Sequence, residues 1–392
     1  MSVGSETRFC NAHNLPILAQ NGGSGWAQTF DLGKKGVIIN LASLNQTSVS
    51  PDKKAMTIGG GATVQTTIEA AAKAGVLVQT GNCNCVGVMG AYLGGGYGNL
   101  MGLHGLRVDN VVSMRVDYFW ALRGAGPNFG IVTSAVVKAC PVKPEDALAW
   151  TGGLIFNPDK LEQLVQAIEE LVLKPEMNIF LYFLWSGPPT NAPVIIINVF
   201  LYKGTPEAGR EAFASIYDIG PMMDLTQVVT YPQWNTGGDA FCVKGGRKPA
   251  FGAGLQKMIP QDWREVWNQY VEFQKLPGAQ NSGVLVEAYP LEKAQSIPAC
   301  WSAFPHRNVE YQAIVIPWYD DPVLDDTALA FGKSVRDVWR NNNRVGNNAT
   351  YINFAHGDDE LEAVYGSSLP RLRELKRRLD PKNRFDQWFN IQ

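Results

Sequence analysis

The sequence predicts an α+β protein in two parts with a returning tail. Two observations carry this. Many of the 40 glycines fall in clusters between Gly22 and Gly130, separated by short apolar runs. After Pro141 the texture changes to longer apolar strand runs alternating irregularly with amphipathic helices. The length of 392 residues has room for two or three domains at roughly 150 residues each.

In chain order, Ser5 to Asn14 reads as the end of a helix. Val37-Ile-Ile-Asn-Leu and Thr57-Ile read as short strands, and Val64 to Ala74 carries Ala and Ile at helical spacing. In the second part, Asp159 is placed to cap a helix with Leu161, Leu164, Val165, Ile168, Leu171 and Val172 on one face. Strands follow at Asn178 to Leu184, Val194 to Tyr202, Val284 to Tyr289 and Tyr311 to Trp318. Helices are expected at Pro206 to Tyr217, Trp263 to Phe273 and Asp325 to Trp339, and a charged helix runs from Leu369 toward Asn383.

Composition excludes several classes. Hydrophobic residues make up 45% and charged residues 18%, which rules out a largely disordered chain. Lys plus Arg is 34 against 36 for Asp plus Glu, so no basic surplus points to nucleic acid. Six cysteines are too sparse for a disulfide-stapled miniprotein. The first residues have neither a basic start nor an apolar core, so the chain as it stands is expected in the cytoplasm. Its longest apolar stretch, Val194 to Tyr202, falls far short of the ~20 residues of a membrane span.

The densest glycine cluster runs from Gly81 to Gly98. Consecutive glycines leave backbone N–H groups bare, which suits a pyrophosphate or a flat ring lying on the main chain. One such cluster is as readily a tight turn; several within one domain point to a ligand. A dinucleotide fingerprint fails at Gly124-Ala-Gly126-Pro-Asn-Phe-Gly130, where the third glycine is one residue late and Pro127 sits at the helix start. No phosphate-binding Gly-Lys-Ser/Thr loop and no Gly-x-Ser-x-Gly elbow is present in context. Cys83-Asn-Cys85 has no partner pair and Cys10, Cys140, Cys242 and Cys300 are scattered, so no metal is expected.

Four ordered motifs carry a resemblance. Gly81-x-Cys83-x-x-Val-Gly-Val, Leu93-Gly-Gly-Gly-Tyr-Gly98, Gly105-Leu-Arg-Val-Asp-Asn110 and Phe119-Trp-Ala-Leu-Arg-Gly-Ala-Gly-Pro-Asn-Phe-Gly-Ile-Val-Thr133 resemble the FAD-linked oxidases of the berberine bridge enzyme type, in the vanillyl-alcohol-oxidase superfamily. Tyr351-Ile-Asn-Phe and Asp380-Pro-x-Asn-x-Phe385 resemble that family's C-terminal signature, and the fungal secondary-metabolism branch is the more similar.

The resemblance implies a PCMH-type FAD-binding domain of two α+β subdomains over residues 1–141. It implies a substrate domain with an antiparallel sheet flanked by helices over 142–345, and a segment returning to the FAD domain over 346–392. The implied cofactor contacts are Asn21, Gly22, Gly23, Ser24, Gly25, Cys83, Gly87, Val88, Gly90, Leu93, Gly94, Gly95, Gly96, Gly98, Asn110, Asn128, Gly130, Ile131, Val132 and Gln387. Cys83 would bond covalently to the flavin. The implied reaction passes a hydride from a small hydrophobic metabolite to flavin N5, with molecular oxygen as a possible electron acceptor.

Three departures stand out. Ser24 occupies the place of the family's attachment histidine. The chain begins late, so its first subdomain would lack strands and leave an open edge. Arg115-Val116 runs directly into Asp117 where the family has about a hairpin more. These departures leave three readings: an active flavoprotein, a flavin-independent isomerase or cyclase on the same fold, or an inactive truncated paralogue.

The expected catalytic residues are Glu287, Tyr289, Tyr351 and His356. Glu287 and Tyr289 are two apart on a strand and share a face. A carboxyl on a buried face has a raised pKa, as a general base or acid requires. Tyr351 and Asn353 are spaced alike, and a tyrosine base needs a cation, for which Lys244 and Arg247 are candidates. His356 lies beside Asp358 and Asp359, whose charge would favour its charged form. His104 lies in a glycine-rich segment, and Trp185, Trp234 and Trp318 are candidates to line an apolar cavity.

Overall fold

The computed structural model describes residues 2–114, 118–188, 191–343 and 348–392. In the glycine-rich half, Ile17–Gln20 pairs in parallel with Val37–Asn40. A four-stranded antiparallel sheet runs in the order Thr47–Val49, Ala55–Gly59, Ser134–Lys138, Val111–Ser113. Helix Val64–Ala74 has the expected bounds. The Thr63 hydroxyl accepts the Thr66 N–H at its start, and Gly75 ends it in the left-handed conformation. Among the described residues the first sheet has two strands only, and its Ile38 is 52% exposed. The shortened join at Arg115–Asp117 and the boundary after Val345 lie outside the described residues.

Among the described residues the second half is built on one antiparallel sheet of eight strands. Its order is Met223–Asp224, Leu148–Phe156, Pro193–Tyr202, Met177–Trp185, Gly283–Ala288, Tyr311–Ile316, Phe251–Leu255, with Gln227–Thr230 also on Leu148–Phe156. Side chains alternate across a strand, and both faces are covered here. Ile179, Leu181, Phe183, Val284, Val286, Ala313 and Val315 form one core with helices Leu161–Glu170, Pro260–Gln274 and Asp325–Asn342. Phe180, Tyr182, Glu287 and Gln312 face the other way; Phe180 and Tyr182 join Tyr97, Leu106 and Tyr289. Thus the sheet is the wall that the glycine-rich half packs against.

Local readings need correction in three places. Asp159 lies in a 3-10 turn, and no side chain caps helix Leu161–Glu170. That helix stops before Val172, which is 83% exposed. The helix expected from Pro206 to Tyr217 breaks at Phe213, which leaves helical backbone and buries its ring beside Trp150. No helix of the described residues is long and apolar enough to cross a membrane.

Two buried ion pairs tie distant segments together. Lys376 donates to Asp380, to the Asn128 carbonyl and to the Phe385 carbonyl at 2.7–2.8 Å, locking helix Leu369–Leu379 to the glycine-rich half. Arg307 grips both carboxylate oxygens of Asp109 at 2.7 and 2.9 Å and also reaches Ser302 and the Ala294 carbonyl. A desolvated pair adds little over an apolar pair, but removing one partner strands the other charge. Arg307→Leu should therefore lower unfolding free energy by about 3–5 kcal/mol, read by urea denaturation; a loss under about 1 kcal/mol, the range of exposed pairs, would contradict this.

Candidate functional site

Glu287 and Tyr289 do share a face. The Tyr289 hydroxyl donates to Glu287 Oε2 at 2.8 Å and accepts from Asn82 Nδ2 at 2.6 Å. Asn82 also takes the Asn99 N–H on its Oδ1, so this carboxyl is wired to both ends of the Gly81–Gly98 segment. Around it stand Tyr182, stacked on Phe241, and Tyr97, which packs on Tyr289 and Tyr351 at ring distances of 5.5 and 4.9 Å. Asn353 Nδ2 donates to the Tyr351 hydroxyl at 2.7 Å and to the Ala91 carbonyl at 3.1 Å. Glu287, Tyr182 and Cys83 are each half-buried, and the charge of Glu287 acts on both Tyr182 and Cys83.

Burial dominates the electrostatics. It pushes Glu287 up to about 7, with the Tyr289 hydrogen bond and the Arg107 charge holding it from going higher. Burial also raises Tyr97, Tyr182, Tyr289 and Tyr351, so these phenols stay protonated near neutrality. Glu287 is therefore the member of this cluster poised to exchange a proton near pH 7.

Arg107 was not foreseen. Its Nε donates to the Tyr97 carbonyl at 2.7 Å, its Nη2 donates to the same oxygen, and its buried Nη1 has no partner. No carboxylate pairs with it among the described residues. It is the cation that opposes burial at Tyr351. Lys244 and Arg247 do not fill that place: Lys244 donates to the Gly22 carbonyl and Arg247 pairs with Asp325 at 3.1 Å.

His356 is corrected as well. Its Nδ1 meets the Ala250 carbonyl at 3.1 Å and its ring stacks on Phe251 at 3.8 Å. Asp358 and Asp359 are engaged by Arg336 and Arg340, and burial lowers the histidine's pKa, so the neutral form is favoured. His104 faces Cys140, Sγ to Nε2 3.7 Å, in a separate open depression of about 520 Å³ with Lys53, Lys143 and Lys203. Trp234 is core, packed with Phe200, Tyr202 and Tyr231. Trp318 lies under the Lys248 ammonium, and Trp185 ends its strand.

The glycine loops converge. Asn21 Nδ2 donates to the Ala62 carbonyl at 2.9 Å, and a Cβ on Gly22 would stand 2.5 Å from the Gly87 nitrogen. Gly23, Gly95 and Gly96 have φ of +66°, +109° and +81°, which only glycine adopts freely. Gly94 lies against Asn353, Gly95 against Phe304, and Gly98 against the Thr80 carbonyl. Gly23, Gly25 and Gly90 are exposed, and nothing lies within 4 Å of a Cβ placed on Gly90. Val88 and Leu93 are buried in the short helix between these loops, and Ser24 is half-buried. Asn110 is spent locally, its Nδ2 on the His104 and Leu106 carbonyls. Asn128 Nδ2 holds the Tyr365 hydroxyl and the Trp388 carbonyl, beside Gly130, Ile131 and Val132. Gln387 donates to Asp386 and keeps a buried Oε1 without a partner.

Of the cysteines read as scattered, Cys242 is not. Cys85 and Cys242, 157 residues apart, form a disulfide with Cα atoms 5.6 Å apart. Cys83 is a free thiol, 3.6 Å from Cys85 Sγ and 3.9 Å from Cys242 Sγ. The three sulfurs lie within 4.8 Å of one another, and the bridge uses two of them. Burial raises the Cys83 thiol, Asp239 and Glu287 add to this, and Lys244 opposes it. No sequence pattern pairs Cys242 with Cys85, because the loop that carries Cys242 comes from the second half.

Comparisons with known proteins agree with this geometry. Residues 2–117 match the model of an FAD binding domain, and residues 350–392 match the berberine and berberine-like model. An FAD-linked oxidoreductase of Pyricularia oryzae is 32% identical over 98% of this chain and 80% of its own length. One of Aspergillus fumigatus is 30% identical over 93% of this chain and 84% of its own. Xylooligosaccharide oxidase from Myceliophthora thermophila superposes with a TM-score of 0.81 at 19% identity, covering 100% of this chain and 89% of the other. At that identity the likeness shows the fold.

Linkage gives a test of the Glu287 environment. The folded carboxyl titrates near 7 and the unfolded one near 4.5, so between these values the folded state holds more protons. Stability should then fall as pH rises from about 4.5 to about 7. Glu287→Gln should flatten that part of the melting-temperature profile. A Glu287→Gln profile parallel to wild type would place the carboxyl in water.

Proposed function

The chain belongs to the berberine bridge enzyme-like FAD-linked oxidoreductases, and we propose that within this family it oxidises a small hydrophobic secondary metabolite, with Glu287 handling the proton. FAD is the cofactor, and when bound it supplies the hydride acceptor. The residues present fit it: Gly23, Gly25 and Gly90 are exposed, nothing lies within 4 Å of a Cβ placed on Gly90, and the half-buried Cys83 thiol is close enough to Glu287 for the carboxylate's charge to raise its pKa. The histidine link has no counterpart, since Ser24 has no ring nitrogen to bond with.

The observation that carries the proposal is a carboxyl raised to about 7 on the sheet face that meets the glycine loops. Glu287 as carboxylate takes the proton of a substrate hydroxyl or amine, and Tyr289 holds the carboxylate by one hydrogen bond. Tyr182 and Tyr351 offer protonated phenols that orient the substrate's polar group, and Phe180 and Phe241 exclude water. Molecular oxygen is the proposed electron acceptor. The Cys85–Cys242 bridge favours an oxidising compartment over the cytoplasm expected from the first residues.

The test screens metabolites by oxygen consumption. Glu287→Gln should cost about 10²–10⁴-fold in kcat. In the wild type, kcat/KM should rise with pH through about 7, since a base works deprotonated. Tyr289→Phe removes a bond that lowers the Glu287 pKa and should move that limb to higher pH. Cys83→Ala should abolish yellow colour in acid-precipitated protein. Full turnover in Glu287→Gln, or yellow acid pellets from Cys83→Ala, would refute the assigned roles.

A further inference from the structure

We propose that Cys242 has two alternative partners, Cys85 and Cys83, and that exchange between them sets whether the Cys83 thiol is available to anchor flavin. The consequence for flavin rests on Cys83 being the anchor; the exchange itself does not.

The geometry is built for a choice. Cys83 Sγ lies 3.9 Å from Cys242 Sγ, near the contact distance of two sulfurs, while Cys242 is bonded to Cys85. The loop carrying Cys242 is held over the Gly81–Gly98 segment from both sides. Upstream, Asp239 accepts from Asn84 Nδ2 at 2.7 Å; downstream, Lys244 donates to the Gly22 carbonyl. Cys242 therefore stays beside both candidate partners whichever it bonds. Cys83, Cys85 and Cys242 are all half-buried, so a proton can leave and return through solvent.

The step balances without an oxidant. The Cys83 thiol gives its proton to solvent; its sulfur stands beside the bridge, 3.6 Å from Cys85 Sγ and 3.9 Å from Cys242 Sγ, so the thiolate first swings about its side chain and then attacks Cys242 Sγ in line with the bond to Cys85. A Cys83–Cys242 bond forms, the Cys85–Cys242 bond breaks, and Cys85 leaves as a thiolate that regains a proton. The count of one disulfide and one thiol is unchanged. In the exchanged form Cys83 is blocked as a nucleophile toward flavin. Attack on Cys85 instead would close a ring across one residue, Asn84, and release Cys242 from the segment altogether. Burial holds Cys83 mostly as the thiol, so the two bridge isomers should interconvert slowly enough to be trapped.

The test uses the full-length purified protein, quenched in acid, alkylated with N-ethylmaleimide in denaturant, digested without reductant and mapped by mass spectrometry. Wild type should yield both Cys85–Cys242 and Cys83–Cys242 linked peptides. Cys85→Ser, incubated with oxidised glutathione, should close an internal Cys83–Cys242 bridge, and Cys83→Ser should keep Cys85–Cys242. If Cys85→Ser instead carries glutathione on both remaining thiols, or keeps both free, the exchange is refuted. Cys242→Ser removes the second-half sulfur that lies beside Cys83, so its acid-stable flavin should exceed that of oxidised Cys85→Ser by at least about tenfold. An internal bridge in Cys85→Ser together with equal flavin retention in the two variants would uphold the exchange and refute Cys83 as the anchor.

Discussion

Where the Gly22 loop crosses Cys85–Gly87, backbone lies directly on backbone. A single Cβ at Gly22 would stand 2.5 Å from the Gly87 nitrogen and 2.9 Å from the Cys85 carbonyl oxygen. The same segment meets the sheet face that carries Glu287 through Asn82, which donates to the Tyr289 hydroxyl. It also lets the loop around Cys242 settle on top, where Lys244 meets the Gly22 carbonyl. Side chains at Gly22 or Gly87 would force the two backbones apart. The glycine content of the first half is thus a packing requirement as much as a ligand-binding one.

The same closeness sets the chemistry. The sheet is backed by a helix-covered core, so its inner face has water only where the two halves leave space. Glu287 lies half-buried on that face, and loss of hydration raises its pKa. The phenols around it rise for the same reason and remain donors. Arg107, with no carboxylate partner among the described residues, is the cation that tempers both effects. A buried guanidinium without a counter-charge is costly, which makes the segment between Tyr97 and Gly105 as much a part of the site as the sheet.

Much of this was legible from residue order. Continuous apolar runs located strands such as Met177–Trp185, and the two-residue spacing of Glu287 and Tyr289 placed both on one face. The helix at 64–74 was marked by Ala and Ile at helical spacing. What was hidden depends on partners distant in sequence. His356 looked charged because Asp358 and Asp359 are its neighbours in the chain, yet Arg336 and Arg340 claim those carboxylates from another helix. Cys85 and Cys242 meet only because the second half folds back over the first. Arg107 reads as one residue of a motif until its guanidinium is placed under Tyr97.

The central claim is that the Cys83 turn and the Glu287 face of the sheet enclose one flavin-dependent site. A crystal structure of the FAD-loaded protein tests it most directly. The account predicts density for a flavin ring touching the side chains of both Cys83 and Glu287. A flavin ring bound elsewhere, or a Glu287 carboxyl out of reach of it, would contradict the account.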